Sequence, residues 1–147
     1  MSSHPSLRIL RVFLCHAFED KPGVRRDLYG PLKKDGFDPW LDAEKIIPGQ
    51  NWQLEIGKAL RSSDAIIVCL SRLSVTKEGY LNRELKEALE IADEKPEGTI
   101  FLIPVKLNRC DIPYRLRSLQ WVNLFQADGY AQVLASLQAR SAQIARR

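Results

Sequence analysis

Asp64 to Ser71 read "DAIIVCLS", an unbroken apolar run from Ala65 to Leu70 bounded by two polar residues. A strand with one solvated face would alternate apolar and polar side chains, and this run has no polar face. It fits a central strand of a parallel sheet, covered by helices on both sides. Before it, Asn51 can cap a helix whose apolar positions Trp52, Ile56, Ala59 and Leu60 recur at helical spacing. After it comes "SVTKEGYLNRELKEALEIADE" (74–94), which predicts a helix from about Tyr80 to Asp93.

Working outward, strands and helices alternate. "ILRVFLCH" (9–16) is a β-branched and aromatic strand, and "FDPWLD" (37–42) a short second one. Between them Val24, Leu28 and Leu32 share a helical face, Gly30-Pro31 interrupts the segment, and Gly36 stops it. "AEKIIPGQN" (43–51) is a loop with a Pro-Gly turn signal. "KPEG" turns the chain into a buried strand over 99–105, "LQWVNLF" (119–125) is a fifth strand, and 130–145 makes a last helix. This alternation predicts an α/β fold of three α/β/α layers around a five-stranded parallel sheet. Ligands of such sheets bind outside the carboxyl ends of the strands, which directs attention to residues 16–20, 42–51 and 71–84.

Composition narrows the function classes. The 147 residues are 45% hydrophobic and 27% charged, as in a globular domain with a real core. No apolar run is long enough to cross a bilayer, and the N-terminus has no cleavage site of a signal peptide. Three scattered cysteines and two histidines predict no zinc site and, with no export signal, a cytoplasmic location. The net charge of +4 comes from bases interleaved with acids, so no direct nucleic-acid contact is expected. In "ARSAQIARR" (139–147) the arginines complement a helix dipole.

Within the 80–93 helix, Leu81, Leu85, Ala88, Leu89 and Ala92 form one apolar stripe. Arg83 precedes Glu87 by four residues, and Lys86 precedes Glu90 by four, so both acids have helical charge partners. Glu84 has Tyr80 and Ala88 at that spacing and no cation. It projects from the edge of the stripe, a half-buried carboxylate near the strands' carboxyl ends. A tertiary ion pair or a helix-dipole contact would also account for it.

Four segments in order, "RVFLCHAFED", "WLDAEKIIPGQNW", "DAIIVCLS" and "YLNRELKEAL", resemble a bacterial-type TIR (Toll/interleukin-1 receptor) domain, and "LQWVNLF" fits that family's last strand. The similarity covers residues 9–137, so residues 1–8 are read as an N-terminal extension and 9–147 as the TIR domain. It implies a flavodoxin-like fold. "YLNRE" matches the family's aromatic-x-x-x-Glu motif, which implies that Glu84 is the catalytic acid of an NAD⁺ nucleosidase with Tyr80 as its aromatic. The products would be nicotinamide and linear or cyclic ADP-ribose. NAD⁺ is then substrate and no cofactor is needed. His16 or Phe18 would supply a ring after the first strand, but the arginine that enzymatic relatives carry there has no clear counterpart. Trp52 either supplies the aromatic that follows the loop's Pro-Gly or is helix core. With no glycine-rich phosphate cradle in the chain, the pyrophosphate falls to loop amides and to cations such as Lys45. Ser71 reads as an orienting or capping hydroxyl near the substrate rather than a nucleophile.

The loop Asp42, Glu44, Lys45, Ile46, Ile47, Pro48, Gly49 and Gln50 matches the family's gating and self-association loop. That match implies a homo-oligomer or filament, attached to a sensor domain or partner protein in a defence signalling system. Three other readings compete. One is a non-catalytic TIR scaffold acting by homotypic contact. A phosphoacceptor receiver domain would need an aspartate where the third strand ends in Ser71. A nucleoside deoxyribosyltransferase-like enzyme shares the sheet and a lone glutamate.

Overall fold

The computed structural model describes residues 9–41, 45–76 and 83–146. Five strands, β1 (Arg11–Cys15), β2 (Asp38–Trp40), β3 (Ala65–Leu70), β4 (Leu102–Lys106) and β5 (Val122–Asn123), form one sheet in the order β2-β1-β3-β4-β5. Every pairing is parallel. β3 lies at the centre with all its residues buried, because its apolar run can contact a helical layer on each side.

Two cores flank the sheet. One packs Leu10, Val12, Leu14, Ile67, Cys69 and Val105 against Val24, Leu28 and Leu32 and against Val133 and Leu137 of the last helix, α6 (Gly129–Ala145). The other packs Phe13, Cys15, Ile66, Val68 and Leu70 against Ile56 and Leu60 of α3 (Trp52–Ser62) and Leu85, Ala88 and Leu89 of α5 (Arg83–Asp93). Alternate residues of β1 and β3 thus feed opposite cores, as the pleat requires. Each fully buried Leu or Ile contributes about 1.5–3 kcal/mol relative to exposure.

The Gly30-Pro31 interruption resolves as a change of helical winding rather than a break. α1 (Lys21–Val24) passes through a π-wound stretch (Arg25–Tyr29) into α2 (Gly30–Lys34), and Gly30 N–H bonds Arg25 O. Pro31 has no N–H to give in the α register, and the wider turn absorbs the mismatch. Gly36 ends the segment at φ 93°, a left-handed value that suits a residue without Cβ.

β4 begins three residues later than expected, since Thr99 and Ile100 are held elsewhere. Thr99 Oγ1 donates to Pro96 O (2.7 Å), and Ile100 N–H donates to Gln143 Oε1 of α6 (2.9 Å). β5 is shorter than the seven residues expected. Leu119 N–H closes a turn on Leu116 O, and Gln126 N–H closes another on Asn123 O. Arg140 is buried in α6 and donates to Asp64 O (2.8 Å), anchoring that helix to the start of β3. That arginine is structural, beyond any helix-dipole role. No helix among the described residues is long and apolar enough to cross a membrane.

Candidate functional site at the β1 and β3 carboxyl ends

In the order 2-1-3-4-5, connections leave β1 and β3 toward opposite sides, and a crevice opens between their carboxyl ends. β1 ends there in Cys15, and His16 follows it. The half-buried Glu84 reaches the same place from the first turn of α5. Phe13, Leu14, His16, Ile56 and Glu84 line a cavity of about 20 Å³. The lining Phe13 ring stacks on Trp40 of the edge strand (centroids 5.0 Å apart, 14° between planes). Burial pushes the Cys15 thiol up, and the nearby Glu84 carboxylate pushes it further, which places that negative charge against the top of β1.

His16 is 8% exposed and its Nδ1 lies 2.8 Å from Ala17 O. A carbonyl can only accept, so Nδ1 carries the hydrogen. Phe18, two residues on, is 83% exposed. Trp52 stands one helical turn before the cavity-lining Ile56 and is 58% exposed, so it is not helix core. Asn51 caps α3, its Oδ1 accepting from Leu54 N–H (3.0 Å).

At the end of β3, Ser71 is buried within a compact hydrogen-bond set. Its Oγ donates to Asp20 Oδ2 (2.8 Å) and accepts from Ser74 N–H (3.0 Å), while Ser71 N–H donates to Ser74 Oγ (2.8 Å). The hydroxyl is therefore a cap for α4 (Arg72–Thr76), and it also clips the segment after β1 to β3. Sequence reasoning flagged 16–20 as a region but gave Asp20 and Ser74 no task. Both depend on partners distant in sequence or hidden in a short helix, and no periodicity marks them.

The structure brings His16 and Glu84 together on one cavity, with Trp52 and Phe18 exposed on the segments that bear it. It does not bring Lys45 there. The Lys45 ammonium pairs with Asp38 (2.5 Å) at the start of β2, in a separate groove of about 290 Å³ shared with Arg11, Trp40, Glu55 and Lys58. Ile46 packs on the core, Ile47 is exposed, and Ile47 to Gln50 form a turn with Gly49 at φ 97°. Pro48 and Gly49 occupy the positions that such a turn prefers. Tyr80, Asp42 and Glu44 lie outside the described residues, as do residues 1–8. Glu87 ion-pairs with Arg61 of α3 (2.6 Å) rather than depending on Arg83 of its own helix. Among the described residues no cluster of three His, Cys, Asp or Glu side chains could hold a metal ion.

Residues 12–137 match the family model described as TIR domain. The chain belongs to the TIR domain family. A protein named NAD(+) hydrolase TcpA, from Theionarchaea archaeon (strain DG-70-1), is 33% identical over 94 residues, 64% of this chain and 27% of that protein. The 2' cyclic ADP-D-ribose synthase BtTIR of Bacteroides thetaiotaomicron is 33% identical over 73 residues, 50% of this chain and 25% of that protein. The matched stretch thus spans about a quarter of the length of these relatives. The TIR domain of the Toll-related receptor TRR-2 from Hydra magnipapillata superposes with a TM-score of 0.67 at 21% identity, covering 86% of this chain and 97% of that one. At that identity the likeness concerns the fold.

Proposed function

We propose that this TIR domain cleaves the nicotinamide–ribose bond of NAD⁺, with Glu84 as the catalytic carboxylate. The observation that carries the reading is the position of Glu84: half-buried, at the β1/β3 switch point, on a cavity it shares with His16. The names of two relatives, an NAD(+) hydrolase and a cyclic ADP-ribose synthase, support the same chemistry.

One carboxylate is sufficient for this bond. The nicotinamide ring is already cationic and leaves neutral, so no acid need protonate it, whereas an ordinary glycoside requires a second carboxyl group to do so. Glu84 would orient the ribose hydroxyls and oppose the positive charge that grows on the sugar. At about 4 Å and an effective dielectric near 20, such a pair interacts by about 4 kcal/mol. Realised only in the transition state, that amounts to roughly a thousandfold in rate.

Small-molecule sites usually enclose about 300–1,000 Å³. The cavity beside Glu84 is far smaller, so the reacting ribose of the dinucleotide would lie at its mouth rather than inside it. The remainder would lie over the exposed rings of Phe18 and Trp52, with Tyr80 as the motif's aromatic and a second subunit completing the wall. Self-association would accordingly activate the enzyme, and a role as the effector of a defence protein follows from the family resemblance. Nicotinamide release by concentrated protein, with Glu84→Ala as control, tests the activity. Specific activity should rise steeply with protein concentration; a constant value would contradict assembly of the site between subunits. If no nicotinamide is released at any concentration, the scaffold reading, in which the domain acts by homotypic contact alone, replaces this one.

A further inference from the structure

We propose that His16 is the proton acceptor for a water held in the cavity beside Glu84, and that this water is the nucleophile completing NAD⁺ cleavage. The inference rests on the cleavage chemistry proposed above and adds the residue that governs its second half.

Three observations converge on it. The cavity of about 20 Å³ has room for one water, which needs roughly 10–15 Å³ and two or more polar partners. Of the five described residues lining it, Phe13, Leu14 and Ile56 have apolar side chains, so among the described residues Glu84 and His16 are the side chains that can hold such a water. The His16 Nδ1 hydrogen is committed to Ala17 O at 2.8 Å, and in a neutral imidazole that leaves Nε2 with a lone pair. His16 lines the cavity, and Nε2 is the ring nitrogen not engaged by Ala17 O. An imidazole nitrogen with a lone pair can accept a proton as a general base.

The step balances as follows. The C1′–N bond breaks and its electron pair leaves with nicotinamide, which becomes neutral. A lone pair of the water oxygen forms the C1′–O bond. One water proton passes to His16 Nε2 and then to solvent. The sum is NAD⁺ and water giving ADP-ribose, nicotinamide and a proton. Glu84 faces the sugar cation throughout and keeps its charge.

His16→Asn tests this directly, because the asparagine amide can still donate to Ala17 O but brings no basic nitrogen to the cavity. The full chain at high concentration is given NAD⁺ with or without 3-acetylpyridine, and products are separated by chromatography. The pyridine attacks through a lone pair of its own and has no proton to lose, so exchange into the dinucleotide reports an intact site without a base. Hydrolysis should fall about a hundredfold or more while exchange stays within about threefold of wild type. Equal loss of both reactions would make His16 merely structural and overturn the proposal. Undiminished hydrolysis, or a wild-type product that is cyclic alone, would overturn it too, leaving the Glu84 chemistry in place. Absence of nicotinamide release by the wild type is a different failure, since it removes the cleavage reading itself.

Discussion

Glu84 and Glu87 sit three residues apart on one helix, yet the proposal gives them different work. Glu87 bridges to Arg61 across the α3–α5 interface at 2.6 Å, with the arginine side chain 68% exposed. Solvent screens such a pair, so Glu87→Ala should cost less than about 1 kcal/mol in denaturant unfolding and leave any NAD⁺ cleavage unchanged. A loss of activity there as large as at position 84 would mean that the helix, not the one carboxylate, matters. Glu84 was legible in the sequence because no lysine or arginine stands three or four residues from it and an apolar stripe runs beside it. Asp20 was not, since its partner Ser71 is 51 residues away and nothing in the spacing links them. Nor did the sequence show that Lys45 would be engaged by Asp38, which is a matter of how the loop lies against β2.

Among the elements, the segment after β1 and the start of α4 are joined through one buried hydroxyl. Ser71 is 1% exposed, and removing the Asp20 carboxylate leaves its Oγ without the acceptor of its hydrogen. Asp20→Ala should therefore lower unfolding stability by about 1–3 kcal/mol, and Asp20→Asn, which keeps an acceptor, should recover most of it; equal losses in both would argue against the clip. Periodicity served well for the long elements. β3 and α6 lie within a residue of expectation, and α3 starts just after its expected cap Asn51, because dense apolar patterns leave few alternatives. It served less well where tertiary bonds compete with the sheet. Thr99 and Ile100 are diverted to Pro96 and Gln143, which trims β4, while turns on either side of Val122–Asn123 trim the edge strand β5. The π-wound stretch before Pro31 was foreshadowed as an interruption, though its form depends on the backbone bond from Gly30 to Arg25.

At the scale of the molecule, the two buried thiols couple stability to alkaline pH. Burial raises Cys15, with a contribution from Glu84, and raises Cys69, with contributions from Cys15 and Asp20; both start from an ordinary value of 9.0. The unfolded chain loses these protons first, so stability is full below about pH 9 and falls as pH rises, by about 1.4 kcal/mol per pH unit for each thiol. Melting temperature followed from pH 7 to 11 should show this decline. A Cys15→Ala, Cys69→Ala double variant should show a shallower one, and identical slopes would contradict the assignment. The whole-molecule architecture was the most legible feature of all: alternating strands and helices around "DAIIVCLS" imply the parallel sheet at whose switch point the candidate site lies. The most direct test of the account is the rate of nicotinamide release from NAD⁺ by Glu84→Gln beside wild type, at equal high concentration and with matching melting curves. Loss of roughly a thousandfold with the fold intact is the predicted result. A folded Glu84→Gln protein that cleaves NAD⁺ at the wild-type rate would contradict it.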